Sequence, residues 1–418
     1  MFNNNREIAE LYMSRALELA KKGMGRTLPN PMVGAVIVKN GRVIGEGFHE
    51  YFGGLHAERN ALAAVTESPA GADMYVTLEP CDHHGKTPPC TEAIIESGIK
   101  RVFIGSDDPN PKVSGKGTAH LREAGIEVVT GVLKDKCEEL NKIFLRYIQT
   151  GLPYVCMKYA MTADGKIAAK TGDSKWISSD ESRTLVQEMR NEYPAIMAGI
   201  GTVLKDDPLL TCRLEDGVSP VRIICDSSLR IPLDSRIVKT ARQTPTFAVC
   251  ALPDLPDGVL VKASVKCNDT GRFGKCVTLE GGEQILFEGD VPDKIKELAG
   301  YGIGIINVCC EIPEGIVSFE GSGYAKSVRT DLKELIRILG DCGIAGILLE
   351  GGGELNYSAL EAGIVNEVNV FLGAKLVGGE AKTPVRGEGI ERMADAFPLK
   401  LKGCRRVGDD VLVQYTLR

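Results

Sequence analysis

The feature that most constrains this chain is a set of metal-binding side chains drawn from three separate stretches. They are His56-Ala57-Glu58, Glu79-Pro80-Cys81 and Pro89-Cys90. One histidine and two cysteines can fill three tetrahedral positions of zinc and leave the fourth open, the layout of a catalytic rather than a closed structural site. The three stretches have to meet at one point, which limits how the chain can fold. His56 and Glu58, two apart, do not share a face of a regular helix, so they converge only at a helix start. Cys90 follows two prolines, which are favoured at helix beginnings. Two helix N-termini aimed at one ion would favour thiolates through their dipoles. Zinc lowers the pKa of a coordinated water toward neutrality, and Glu58 could carry that proton to a departing ammonia. This is the chemistry of hydrolytic deamination of a nucleobase-like amidine. The plainer reading is a buried histidine with two core cysteines. A lone His-Ala-Glu arises by chance; its combination with a cysteine at a strand end and another opening a helix is far more specific. The spacing departs from the common deaminase signature of two residues between the cysteines, because Asp82 to Pro89 lie between Cys81 and Cys90.

Several zinc deaminases edit nucleic acids, so charge matters. The net charge of −6 gives no basic footprint, and residues 1–150 carry 18 Lys and Arg against 19 Asp and Glu. Most of the 13 cysteines stand singly in apolar or mixed surroundings, such as Cys156, Cys225, Cys250 and Cys342. The odd count shows no disulfide framework and reads as thiols in a reducing compartment. No apolar leader and no run of membrane-span length is present. A soluble cytoplasmic protein is the expectation.

The 418 residues suggest two or three domains. All five histidines lie between His49 and His120, and the single tryptophan is Trp176, which points to a metal-using first half and a different second half. Apolar spacing predicts a helix over Arg6 to Lys22, stopped by Gly23. Val33 to Val38 and Val43 to Phe48 flank Asn40-Gly41, a strong hairpin signal. Helices at His56 to Val65, Cys90 to Ser97 and Gly117 to Ala124 alternate with strands at Met74 to Leu78, Arg101 to Gly105 and Glu127 to Val132. A closing helix covers Glu138 to Gln149, and Thr150-Gly151 marks a boundary. The pattern is three-layer α/β. The second half restarts at Tyr154 to Tyr159. Helices follow at Asp180 to Asn191, Leu332 to Leu339 and Leu355 to Ala362. Strands are expected at Ala195 to Gly199, Val221 to Cys225, Thr246 to Cys250, Gly346 to Leu349, Val365 to Leu372 and Val411 to Leu417. Between about 251 and 327 the pattern is poor and reads as an insertion.

The loop between the cysteines carries a resemblance. Pro80-Cys81-Asp82-His83-His84-Gly85-Lys86-Thr87-Pro88-Pro89-Cys90 resembles the signature of the riboflavin-biosynthesis pyrimidine deaminases. Pro29-Asn30-Pro31-Met32-Val33-Gly34-Ala35-Val36 does so too, as does Asp108-Pro109-Asn110-Pro111 with Gly115-Lys116-Gly117. The resemblance implies a cytidine-deaminase-like domain over 1–150, with zinc ligands at His56, Cys81 and Cys90 and Glu58 as proton shuttle. It also implies that Asn30, His49 and Lys86 contact the substrate. Asn30 can pair with a pyrimidine edge as donor and acceptor, although a turn residue between prolines is the plainer reading. Lys86 can neutralise a ribose phosphate as a point charge. His83 and His84 are read as supporting the metal ligands or ordering the loop, since a fourth protein ligand would displace the catalytic water.

From Leu152 onward the chain resembles the reductase fused to this deaminase in bacteria. The motifs are Lys158-Tyr159-Ala160 with Asp164-Gly165-Lys166, Ser174-Lys175-Trp176-Ile177-Ser178, Gly201-Thr202-Val203 with Asp206-Asp207-Pro208, Leu349-Glu350-Gly351-Gly352-Gly353 and Ala374-Lys375-Leu376-Val377-Gly378-Gly379. The resemblance implies a dihydrofolate-reductase-like α/β domain over 151–418, containing the insertion. NADPH is then held without a strand-linked G-x-G-x-x-G, which this stretch lacks. The glycine run after an apolar strand lets backbone N–H groups approach phosphate; a plain strand-to-helix turn is the alternative. By the same resemblance Ala160, Trp176, Thr202, Asp206, Gly352 and Gly353 line the NADPH site. Ser174, Arg190, Leu210, Arg213 and Glu350 face the substrate. Arg190 and Arg213 suit a phosphate through fork-like donors, though singly each is more often a surface arginine. Lys158 and Glu350 are the candidates for positioning and proton supply as hydride reaches the former anomeric carbon.

The combined expectation is a bifunctional enzyme. It deaminates 2,5-diamino-6-(5-phosphoribosylamino)pyrimidin-4(3H)-one, then reduces the ribosyl chain to ribityl with NADPH. Its substrates are small molecules, with no nucleic-acid or membrane partner, and the resemblance suggests a homo-oligomer, dimer or tetramer. The rivals are another nucleobase or nucleoside deaminase with a non-functional second domain, a zinc-dependent RNA-binding or editing protein, and a non-catalytic scaffold.

Overall fold

The computed structural model of the chain describes residues 2–84, 88–110, 114–261, 292–311 and 328–417. The chain divides between Gly151 and Leu152 into two compact units. The first runs α1 (Phe2–Lys21), β1 (Gly34–Lys39), β2 (Arg42–Phe48), α2 (Ala57–Ala63), β3 (Asp73–Leu78), α3 (Cys90–Glu96), β4 (Arg101–Ser106), α4 (Lys116–Glu123), β5 (Glu127–Thr130), α5 (Lys134–Leu140) and α6 (Lys142–Thr150). Its described strands lie in the order β2-β1-β3-β4-β5. Asn40 and Gly41 both have positive φ, 50° and 74°, the conformation a two-residue hairpin turn demands.

Alternation along β1 and β3 sends side chains to two cores. Ala35, Ile37, Met74 and Val76 pack with Ala57 and Ala61 of α2, Ile94 of α3 and Leu121 of α4. Val36, Val38 and Tyr75 pack with Met13, Ala16 and Leu17 of α1 and Cys137 of α5. The three layers expected from the alternating pattern are present. Two glycines let the helices sit close to the sheet. A Cβ on Gly34 would overlap the Ala16 carbonyl, and one on Gly47 would overlap the Ala61 amide. The single closing helix expected over 138–149 is instead two, broken at Asn141. The Asn141 amide pairs with the backbone of Met32 in both directions, accepting from its N–H at 2.8 Å and donating to its carbonyl at 2.9 Å. A long-range bond of this kind overrides a local helical period.

The second unit contains β6 (Tyr154–Thr162), α7 (Asp180–Glu192), β7 (Ala195–Gly199), α8 (Ile200–Asp206), β8 (Val221–Cys225), α9 (Arg236–Lys239), β9 (Thr246–Cys250), β10 (Gly258–Val261), α10 (Asp293–Gly300), β11 (Gly304–Asn307), β12 (Cys309–Glu311), β13 (Val328–Thr330), α11 (Leu332–Asp341), β14 (Gly346–Leu349), α12 (Gly353–Glu361), β15 (Glu367–Gly373), β16 (Leu399–Val407) and β17 (Asp410–Leu417). Among the described residues ten strands form one sheet, β10-β11-β9-β8-β7-β14-β6-β15-β17-β16, and β12 pairs with β13 separately. The strands from β11 to β15 are parallel. They read as continuous apolar runs, as doubly covered parallel strands do. Arg222 interrupts one such run and is fully buried. It donates to the carbonyls of Leu209, Ile237 and Thr244 and to the hydroxyls of Thr240 and Thr246, so every arm of the fork is bonded.

The stretch expected to be an insertion is in part built into this sheet. β10 and β11 extend it, and Leu255, Leu260, Val261, Ile295, Leu298, Ala299, Ile303 and Ile305 belong to its core. Strands this short and this buried leave no alternation to read. The remainder of that stretch, 262–291 and 312–327, lies outside the described residues.

Candidate active sites

In the first unit the metal set assembles at two helix starts. His56 caps α2 in extended conformation, φ −74° and ψ 160°, and Glu58 lies in the first turn. Cys90 is the first residue of α3, capped by Pro89, and Cys81 lies three residues past β3. Among the described residues His56, Cys81 and Cys90 bring their ligand atoms within 4.8 Å of one another. The Nδ1 of His56 is 3.4 Å from the Cys81 sulfur and 3.3 Å from the Cys90 sulfur. Zinc–sulfur and zinc–nitrogen bonds at a tetrahedral angle predict an N···S edge of about 3.6 Å, so the set fits a zinc ion. The sulfurs compete for a proton: Cys90, donating toward Cys81, is raised, and Cys81 is lowered by Cys90 and His56. A divalent cation resolves that competition by taking both as thiolates.

Glu58 is 3 % exposed, and burial pushes its carboxyl up, against a smaller lowering by His56. Nearby, the Nδ1 of His49 donates to the Leu55 carbonyl at 3.0 Å. That tautomer leaves Nε2 to accept from the Asn30 amide at 3.2 Å, which turns the Asn30 carbonyl away from His49. The His49 and His56 rings meet edge to face with centroids 5.6 Å apart. The structure thus brings together Asn30, His49, His56, Glu58, Cys81 and Cys90. Lys86 lies outside the described residues.

Several residues that hold this site were given no role from the sequence, although Glu79 and Asp82 stand in its motifs. Glu79 accepts from the backbone N–H groups of Gly115 and Thr118, both at 3.0 Å. Asp82 accepts from Thr91 and from His120, each at 2.6 Å. Arg59 donates to the carbonyls of Pro88 and Pro89. The signal available was adjacency, since Glu79, Asp82 and Thr91 flank the two cysteines. Of the loop histidines, His84 meets Glu92 at 3.4 Å on the surface, and it is His120 that pairs with Asp82.

In the second unit strand register builds the site. Leu349 of β14 lies opposite Met157 of β6 and Met197 of β7, so Glu350 emerges beside Lys158 at the carboxyl end of the sheet, where open α/β sheets bind ligands. Arg190 of α7 grips Glu350 with two bonds, 2.7 and 3.0 Å, and Lys158 approaches to 3.5 Å. Burial alone would raise the Glu350 carboxyl, but Arg190 and Lys158 hold it at about 2. Gly352 caps α12 with open space where its Cβ would be, whereas a Cβ on Gly353 would crowd the Thr383 carbonyl. That open, N–H-lined turn fits a cofactor phosphate. Ala160 follows Lys158 on β6, and Thr202 and Asp206 lie on α8. Trp176 is 59 % exposed, so it is not a core aromatic; the Arg183 guanidinium lies 4.5 Å over its ring. Ser174 is half-buried and Arg213 exposed. The Arg213 N–H donates to Gln187 of α7 at 3.0 Å. Leu210 is buried, with its side chain packed in the sheet's core.

The comparisons match both units. The family model described as the cytidine and deoxycytidylate deaminase zinc-binding region matches residues 6–106. The one described as the RibD C-terminal domain matches 153–262 and 285–413. The chain is 47 % identical to riboflavin biosynthesis protein RibD of Actinobacillus pleuropneumoniae over 97 % of its own length and 94 % of that protein's. It is 36 % identical to RibD of Escherichia coli over 96 % and 97 %. Among solved structures, a diaminohydroxyphosphoribosylaminopyrimidine deaminase/5-amino-6-(5-phosphoribosylamino)uracil reductase of Thermotoga maritima superposes with a TM-score of 0.76. Identity is 35 %, over 99 % of this chain and 100 % of that one. Acinetobacter baumannii RibD gives 0.74 at 31 % identity, over 99 % and 100 %. The fold class expected from the sequence, a cytidine-deaminase-like domain followed by the reductase domain, is borne out.

Proposed function

This chain belongs to the RibD family of bifunctional riboflavin-biosynthesis enzymes, and from that premise we propose how its residues divide the work. It is a deaminase and a reductase, with Zn2+ and NADPH as cofactors. We assign the deamination of the diaminopyrimidinone ribosylamino phosphate to residues 1–150 and the reduction of the ribosyl chain to 151–418. The observation that carries the first assignment is the convergence of His56, Cys81 and Cys90 beside a buried Glu58.

His56, Cys81 and Cys90 hold the zinc, which supplies Lewis-acid activation of a water molecule. Glu58 accepts the proton of that water and delivers it to the departing amino group. His49 orients Asn30, whose carbonyl and remaining amide hydrogen meet the pyrimidine edge. Lys86 takes the phosphate by resemblance. In the second unit NADPH supplies the hydride. The Gly352-Gly353 turn, with Ala160, Trp176, Thr202 and Asp206, binds it, and Ser174, Arg190, Arg213 and the Leu210 backbone bind the substrate. Glu350, anionic at neutral pH, is a poor proton donor. Its part is to fix Arg190 and Lys158, and Lys158 supplies the proton.

No helix among the described residues is long and apolar enough to cross a membrane, and small-molecule substrates are those of the family. The cytoplasm as location and a homo-oligomer, dimer or tetramer, complete the reading; sedimentation tests the latter. The main test is mass spectrometry of the product formed from the diaminopyrimidinone substrate with and without NADPH. A deaminated product without NADPH and a deaminated, reduced product with it are expected. No deamination by zinc-loaded protein would overturn the assignment of the first unit. Deamination in both tubes without reduction would overturn that of the second.

A further inference from the structure

Cys81 and Cys90 sit at opposite ends of a loop, and a loop of that length does not by itself fix the distance between two sulfurs. The residue following each cysteine does. Thr91 Oγ1 donates to Asp82 Oδ1 at 2.6 Å. The backbone reinforces the tie, Thr91 N–H donating to the Cys81 carbonyl at 3.3 Å and Cys90 N–H to the Cys81 sulfur at 3.4 Å. The same Asp82 oxygen accepts from His120 Nδ1 at 2.6 Å. His120 stands on α4, and α4 is locked to the root of the loop. Glu79 accepts from the N–H groups of Gly115 and Thr118, and α4 approaches Pro80 so closely that a Cβ on Gly117 would overlap the Pro80 carbonyl. Residues 79, 80 and 82 are therefore all anchored to neighbouring helices, and Cys81 between them has little freedom. Thr91 is fully buried, which shields its bond to Asp82 from water; a hydrogen bond to a carboxylate is of the stronger kind.

We infer that Asp82, Thr91 and His120 form a strap that sets the separation of the two cysteine ligands and thereby governs how firmly the metal is retained. They are positioning residues, acting through Cys81 and Cys90. The inference rests on the ligand assignment proposed above. Loss of a bond that orients a metal ligand typically costs about 10- to 100-fold in metal affinity.

The test compares zinc-loaded full-length protein with Thr91→Val, Asp82→Asn, Thr91→Ser and His120→Ala. Zinc release to a chromophoric chelator and the visible absorption of the cobalt-loaded protein are followed, with a thermal melt as the folding check. Thr91→Val and Asp82→Asn are expected to release zinc on the order of tenfold faster, with altered cobalt bands, while Thr91→Ser, which keeps the hydroxyl, stays within about twofold of the parent. A parental release rate and cobalt spectrum in folded Thr91→Val overturns the strap. If Thr91→Val does not fold, His120→Ala decides, its ring being partly exposed: faster release supports the strap and an unchanged rate overturns it. Cys90→Ser separates the two claims. Stoichiometric zinc in Cys90→Ser overturns the ligand assignment, whereas zinc lost there and parental release in Thr91→Val overturns the strap alone.

Discussion

Glu58 is a buried carboxylate and Glu350 a largely buried one, and their surroundings push them in opposite directions. Among the described residues Glu58 has no guanidinium or ammonium partner, and burial favours its protonated form. Glu350 lies between Arg190 and Lys158 and stays anionic. The first is suited to carrying a proton, the second to holding two cations in place. Glu58→Gln is expected to lower deamination by about 10²- to 10⁴-fold, with zinc content and the reduction of deaminated substrate unchanged; metal analysis and separate assays of the two steps check this. For Glu350 the pKa falls on folding from the ordinary 4.5 to about 2. Its contribution to stability is therefore complete above pH 4.5 and is lost as pH falls from 4.5 toward 2. Over that window the second unit of the parent should lose stability more steeply than Glu350→Gln in urea titrations. Superimposable slopes would contradict the grip of Arg190 and Lys158.

Elements carry these residues to one another through close approach and register. Helix α2, which brings His56 and Glu58, rests on β2 where Gly45 and Gly47 leave room; a Cβ on Gly45 would come within 2.6 Å of the Ala61 carbonyl. Gly47→Ala is expected to push α2 outward, destabilising the first unit by about 1–3 kcal/mol and reducing zinc retention. Thermal melts and metal content would reveal it, and a parental melting temperature would contradict the close contact. In the second unit, pairing of Leu349 with Met157 sets Glu350 against Lys158 although 192 residues separate the two. A one-residue slip would turn Glu350 to the other face.

For the molecule as a whole, the candidate zinc ligands and Glu58 belong to one compact unit, and Lys158, Arg190 and Glu350 to the other. Removing zinc with a chelator is thus expected to abolish deamination while reduction of an already deaminated substrate by NADPH continues; loss of both rates together would contradict separate sites. Much of this was legible beforehand. Turn chemistry at Asn40-Gly41, caps at His56 and Pro89 and the apolar runs of the parallel strands act within a few residues, so the sequence alone determined much of the alternation of elements, the convergence of His56, Cys81 and Cys90, and the two chemistries. The break at Asn141, the strands at 258–261, 304–307 and 399–407, the burial of Leu210 and the pairing of Asp82 with His120 were decided only in three dimensions. Each depends on a partner far along the chain, and which distant faces bury one another, with which polar groups left to be bonded, is not written in any local window.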